Sequence, residues 1–149
     1  MSPDVQIREF ELEDYEEVEE IWRITDVFNK RDNKGRYEKI WRKYNDLFLI
    51  AEKDERVIGS VYGVFPYMWF SLPSFGIGYV GHLAIHPDAQ GMGVGSILLD
   101  EICERLRNRG KTRVFLFASP SEGRRDDLYR FYRDRHGFKN ISDLFFKRL

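Results

Sequence analysis

Cysteine is nearly missing from this chain: Cys103 is the only one in 149 residues. No internal disulfide can form, so a disulfide-stapled secreted scaffold is excluded. Long apolar runs are also missing, which excludes a membrane-spanning helix, and no signal-peptide pattern is found. A cytoplasmic location is the resulting expectation. Charge excess is absent too, because 24 basic residues meet 25 acidic ones for a net charge of −1. No overall field steers the chain toward nucleic acid or a membrane surface. The arginine-rich stretch from Arg105 to Arg135 lacks interleaved aromatics suited to stacking on bases, so nucleic-acid binding is not expected. Repeats, low-complexity tracts and linkers are missing as well.

What remains is 42% hydrophobic and 33% charged residues, the profile of a soluble globular protein. The length suits one domain with a real core, taken as residues 1–149. Val5 to Phe10 alternates and predicts a strand. Asp14 to Thr25 places Tyr15, Val18, Ile21 and Trp22 at helical spacing. Asn33 to Tyr44 does the same with Tyr37, Ile40, Trp41 and Tyr44, with Asp32 or Asn33 as the cap. Leu47 to Lys53 and Val57 to Phe65 predict a hairpin turning at Asp54-Glu55-Arg56. Ile77 to His86 predicts a strand broken by Gly78 and Gly81. Gly93 to Arg109 predicts a helix stopped by Gly110, with Cys103 packed among Leu99, Ile102 and Leu106. Thr112 to Ala118 predicts a strand buried on both faces. A capping box at Ser119-Pro120-Ser121-Glu122 predicts a helix running to about Arg135 and ended by Gly137. One or two strands complete the chain over Phe138 to Arg148. The order β-α-α-β-β-β-α-β-α-β makes a mixed α/β domain.

The most informative stretch is Gln90-Gly91-Met92-Gly93-Val94-Gly95-Ser96, between a strand and a helix. Glycine weakens a helix start, yet bare amides at a helix N-terminus form an anion site that a phosphate can approach closely. A P-loop would need Lys-Ser/Thr after its last glycine, and Gly95 is followed by Ser96-Ile97. A dinucleotide site needs Gly-x-Gly-x-x-Gly and an acid at the end of the next strand, and neither is present.

Gln90 to Gly95 resembles the Gln/Arg-x-x-Gly-x-Gly/Ala signature of the GNAT superfamily of acyl-CoA-dependent N-acyltransferases. Leu83 to Asp88 is similar to the strand and turn that lead into that loop. Phe48 to Glu52 and Val57 to Ser60 resemble its central hairpin, and Phe131-Tyr132 with Gly137-Phe138 resembles its late aromatic segment. The likeness is to small single-domain bacterial or archaeal members. It implies a mixed, largely antiparallel sheet splayed between the fourth and fifth strands. It implies acetyl-CoA as cosubstrate and no metal. Leu83, Ala84 and Ile85 would pair with the pantetheine arm. Gln90, Gly91, Met92, Gly93, Val94, Gly95 and Ser96 would hold the pyrophosphate, and Arg124 or Arg125 would meet the ribose phosphate.

The reaction so implied is attack of a primary amine on a thioester within a ternary complex. The departing thiolate benefits from a proton, and a phenol with pKa near 10 can donate one at pH 7. The resemblance points to Tyr132, with Tyr129 in reserve, and a core role for both stays open. Tyr132 stands one residue farther from Gly137 than the family pattern places it, so either the helix end bulges or the role weakens. No glutamate is present near Phe117 to act as base. His82 is the candidate, with a hydrogen-bonded structural histidine or ordered water as the alternatives. His86 reads as a turn residue and His136 as a helix-end residue. The acceptor would lie near Asp26 to Asn33 and the aromatic segment Pro66 to Gly76. Small amines, protein N-termini and lysines are all open as acceptors, as is a monomer or homodimer. A non-catalytic acyl-CoA-binding module is the competing function.

Overall fold

Two residues set the central hairpin. Asp54 and Glu55 both have positive φ, 51° and 62°, the twist that a two-residue loop needs to match its flanking strands. They join β2 (Phe48–Lys53) to β3 (Arg56–Val64). The structure is a computed structural model of the chain and describes residues 4–28, 32–65, 76–118, 125–141 and 144–149. The capping box at Ser119 to Glu122 and nearly all of the aromatic segment Pro66 to Gly76 lie outside the described residues.

Before the hairpin come β1 (Val5–Glu9), α1 (Tyr15–Ile24) and α2 (Lys34–Lys43). Asn33 caps α2, its side chain accepting from the Arg36 amide at 2.9 Å, which leaves Asp32 for another use. After it come β4 (Ile77–Ile85), α3 (Val94–Asn108) and β5 (Arg113–Phe117). A short α4 (Arg125–Tyr129) continues as a wider π turn over Arg130–Arg135, then β6 (Lys139–Ile141) and β7 (Leu144–Arg148) close the chain. The seven strands form one sheet in the order β1-β2-β3-β4-β5-β7-β6. Only β4 and β5 run parallel among these pairs, and their pairing covers just Ile77, Gly78 and Tyr79 against Arg113, Val114 and Phe115. Beyond Tyr79 the two strands diverge, as the splayed sheet requires.

Each sheet face has its own core. Leu98, Leu99, Ile102 and Leu106 of α3 pack with Leu49, Val61, Val80, Val114, Tyr132 and Phe145 on one face. Val18, Ile21 and Trp22 of α1 and Tyr37 of α2 pack with Phe48, Ile50, Tyr62 and Ala84 on the other. The Trp22 indole donates to the Ser60 hydroxyl at 3.0 Å, which satisfies both buried polar groups. Cys103 is a buried core thiol, and burial pushes its pKa up to about 11.

Three sequence expectations are corrected. β4 is not broken at Gly78 or Gly81. Those glycines make room for Leu106 and Tyr62, and the irregularity falls instead between Gly81 and Ala84, where His82 takes φ 45°. β5 is not buried on both faces, because Arg113 is exposed and Phe117 is 61% exposed. The layer of α1 and α2 covers β2, β3 and β4 and stops short of β5. The last helix does not stay α-helical to Arg135, since the π turn absorbs one extra residue, and the Phe138 amide reaches back to the Tyr132 carbonyl at 2.9 Å.

A Cβ at Gly81 would stand 2.2 Å from Cζ of Tyr62. Tyr62 is itself wedged among Tyr37, Phe48 and His82 and cannot retreat freely. Gly81→Ala is therefore expected to cost about 1–3 kcal/mol of stability by overpacking. Urea unfolding checks this, and the double variant with Tyr62→Leu should lose less than the sum of the two single changes.

Candidate active site

The loop from Gln90 to Ser96 explains its alternating residues. Met92 and Val94 turn inward and pack against the α3-side core. Gly91 and Gly93 alternate with them at φ 83° and 82°, and a Cβ at either would meet nothing within 4 Å beyond its chain neighbours. The apolar side chains anchor the loop, and the glycines leave its backbone open. Gly93 caps α3 with no side-chain hydrogen bond, and the first turn holds no acid. Among the described residues, no side chain caps the amides of Val94, Gly95 and Ser96 at the positive end of the helix dipole. Gln90 braces the loop, its side-chain amide donating to the Ile85 carbonyl at 3.1 Å. His86 is a turn residue, as its ring accepts from the Asp88 amide at 3.1 Å.

β4 feeds this loop. Leu83 and Ile85 pack toward α3, while Ala84 is buried on the α1 side. Their strand pairs with β3 on one edge, and its pairing with β5 has already ended at Tyr79. The other edge of these three residues therefore faces the divergence between β4 and β5. An irregularity in the ladder to β3 adds a residue at His82, which re-aims that side chain. A non-glycine residue at positive φ is strained, and such strain concentrates at functional sites.

The structure gives His82, the candidate base, a hydrogen-bonding partner. Its Nε2 lies 3.1 Å from Oδ2 of Asp32, a carboxylate only 5% exposed. The Tyr37 hydroxyl donates to the other oxygen of Asp32 at 2.6 Å. The ring sits against Trp22, Tyr37 and Tyr62. Burial lowers the His82 pKa from its ordinary value, with Asp32 opposing that shift. The neutral ring thus donates from Nε2 to Asp32, which makes Nδ1 the acceptor nitrogen. Asp32 is the residue that sequence reasoning missed. Its only local signal was a choice between two capping positions, and its partner is 50 residues away.

Tyr132 lies on the opposite face, ringed by Phe131, Phe138 and Phe145 and 6% exposed. Burial pushes its pKa up, so the phenol is protonated at neutral pH, and Tyr132 shares the α3-side core with Val80 of β4. Tyr129 instead packs on Phe145, with Arg133 over its ring. Tyr132 and His82 therefore approach β4 from opposite faces and belong to separate side-chain clusters. Arg124 and the Arg125 side chain lie outside the described residues. Among the described residues no cluster of side chains suited to a metal ion occurs, and no helix is long and apolar enough to cross a membrane.

Comparison with known proteins agrees with this geometry. Residues 5–138 match the model of the Acetyltransferase (GNAT) family. A curated acetyltransferase of Sodalis glossinidius is 31% identical, over 76% of this chain and 75% of its own length. The crystal structure of Ard1 from Thermoplasma volcanium superimposes with a TM-score of 0.78 at 20% identity, covering 98% of both chains. A GNAT family acetyltransferase from Brucella melitensis, solved with acetyl-CoA, gives a TM-score of 0.71 at 22% identity, covering 97% of this chain and 88% of its own. The glycine loop, the diverging strands and a match over nearly the whole length lead to one assignment: this chain belongs to the Acetyltransferase (GNAT) family.

Proposed function

We propose that the chain transfers the acetyl group of acetyl-CoA to a primary amine by direct attack in a ternary complex, with residues 1–149 acting as one catalytic domain. The observation that carries this, among the described residues, is the pairing of a helix N-terminus without a side-chain cap, at Val94 to Ser96, with a β4 edge released from β5 beyond Tyr79. The first suits a diphosphate and the second suits an extended arm that adds to a sheet edge. In this reading Gln90, Gly91, Met92, Gly93, Val94, Gly95 and Ser96 hold the diphosphate. Leu83, Ala84 and Ile85 hold the arm by their main chain. The cosubstrate supplies a thioester as acyl donor.

The protein's own part is proton traffic and orientation. An amine is nucleophilic only when neutral, and a free lysine amine has a pKa of about 10.4. Nδ1 of His82 is the acceptor for the amine proton, with Asp32 fixing the tautomer. Tyr132 is the donor to the departing thiolate, because burial keeps its phenol protonated. The acceptor class stays broad, from small amines to protein N-termini and lysine side chains.

Thiol release from acetyl-CoA across a panel of small amines, polyamines and peptides tests the reading. Release with at least one amine is expected. Binding of acetyl-CoA with no release from any amine would instead favour a non-catalytic acyl-CoA-binding module. For the base, wild-type kcat should fall on the acidic side with a midpoint below about 6.5, because burial lowers the His82 pKa. Protonation of His82 removes the acceptor, so activity is lost as pH falls and retained above. His82→Ala should lower the plateau about tenfold and abolish this limb. A variant that keeps the limb removes His82 from the mechanism.

A further inference from the structure

Two side chains beside the loop, His136 and Asp100, have no part in that mechanism, yet both are tied to Ser96 of the diphosphate loop. Ser96 and Asp100 stand four residues apart on one face of α3, and His136 lies between them. The ring Nε2 is 2.9 Å from the Ser96 hydroxyl and Nδ1 is 3.3 Å from the Asp100 carboxylate. The His136 side chain is 7% exposed, whereas Asp100 is 69% exposed. The ring lies tilted against Phe131 at 4.7 Å between centroids, and Lys147 of β7 donates to the His136 carbonyl at 2.9 Å. Three ring contacts and one main-chain bond thus fix a titratable side chain against the third residue of a helix whose amides are open to an anion.

We propose that His136 couples the grip on the cosubstrate diphosphate to pH by switching the direction of the Ser96 hydroxyl. The inference rests on the diphosphate lying at this loop, as argued above. In the neutral ring, Nδ1–H donates to Asp100 and Nε2 is an acceptor, so the Ser96 proton points at the ring. Its lone pairs then face the loop, where an anion would sit. When the ring takes a proton from solvent, Nε2–H donates to the Ser96 oxygen. The hydroxyl hydrogen is released toward the diphosphate, and a positive charge is added behind it. His136 is a positioning residue here, since it acts through Ser96.

The charged groups around the ring set where the switch operates. Burial holds the His136 pKa below its ordinary value, Asp100 opposes this, and Lys147 and Arg135 reinforce it. The free protein therefore carries a neutral His136 at pH 7. A bound diphosphate favours the charged ring, so binding and protonation assist each other, and affinity rises as pH falls.

The test uses dephospho-CoA, because the 3′-phosphate of coenzyme A itself titrates near pH 6 and the diphosphate diester does not. Isothermal titration at pH 7.5 and 5.5 should show wild-type affinity rising about fivefold at the lower pH, with proton uptake on binding. His136→Gln should bind with an affinity that changes less than about twofold over that range, since glutamine hydrogen-bonds without titrating. An equal pH slope in both proteins overturns the coupling and leaves the loop assignment standing. Dephospho-CoA that binds neither protein at either pH removes the loop assignment and the coupling with it. Should His136→Gln fail to fold, nitrogen-15 histidine spectra of the wild-type protein decide. The His136 titration midpoint should rise by at least about half a pH unit on adding dephospho-CoA, and an unmoved midpoint overturns the proposal.

Discussion

Tyr132→Phe is expected to lower kcat by about 100-fold while leaving acetyl-CoA affinity within about threefold of wild type. The ring keeps its packing in this variant, because Phe131, Phe138 and Phe145 contact the aromatic face and phenylalanine preserves it. Only the hydroxyl is removed. A positioned general acid contributes roughly 100- to 10,000-fold, and the lower end suits a thiolate, which leaves more readily than an alkoxide. Steady-state kinetics at saturating acetyl-CoA, with calorimetric binding alongside, separates the two quantities. Equal loss of binding and turnover would assign Tyr132 to the pocket wall. Unchanged turnover would return it to the core and move attention to Tyr129.

The second large effect concerns the loop. Gly93→Val should weaken acetyl-CoA binding at least about 30-fold and lower the melting temperature only modestly. The φ of 82° penalises a β-branched residue by about 1–2 kcal/mol. Apart from its own chain neighbours, nothing in the fold lies within 4 Å of the added Cβ, so steric cost inside the fold is small. The new methyl groups would instead stand in front of the open amides. Gly95→Ala is the informative contrast. Its Cβ would meet Ile85 and Phe131 at 3.6 Å, an ordinary contact, and alanine favours the helix. Calorimetry and thermal unfolding on both variants distinguish a ligand cradle from a turn that merely packs. In the second case stability would fall in Gly93→Val and affinity would not.

Much of this architecture is written in local patterns. The Asp54-Glu55 turn, the Asn33 cap and the glycine loop each depend on residues within four positions of one another, and sequence spacing reveals them. The excess residue between Tyr132 and Gly137 was also visible as a mismatch, and the structure accommodates it as a π turn. Pairings between distant elements left no such trace. Asp32 meets His82 across 50 residues, and Ser96 meets His136 across 40. Neither pair shows a periodicity, because each is fixed by how α1, α2, α3 and the π turn settle on the sheet. The irregularity at His82 is equally silent in sequence, since the two glycines nearby are the obvious breakers. Their role is to admit Leu106 and Tyr62, which only tertiary packing discloses.

The three-residue seam between β4 and β5 has a mechanical consequence. Strands β1 to β4 and strands β5, β7 and β6 form two plates joined by few rungs, with α3 as the strap that crosses them. A sheet that gives up rungs to make a slot is weakest along that slot, and whatever occupies it supplies the missing cross-ties. Occupancy of this cleft would therefore stiffen the carboxy-terminal plate, so the acyl donor would serve as a brace as well as a reagent.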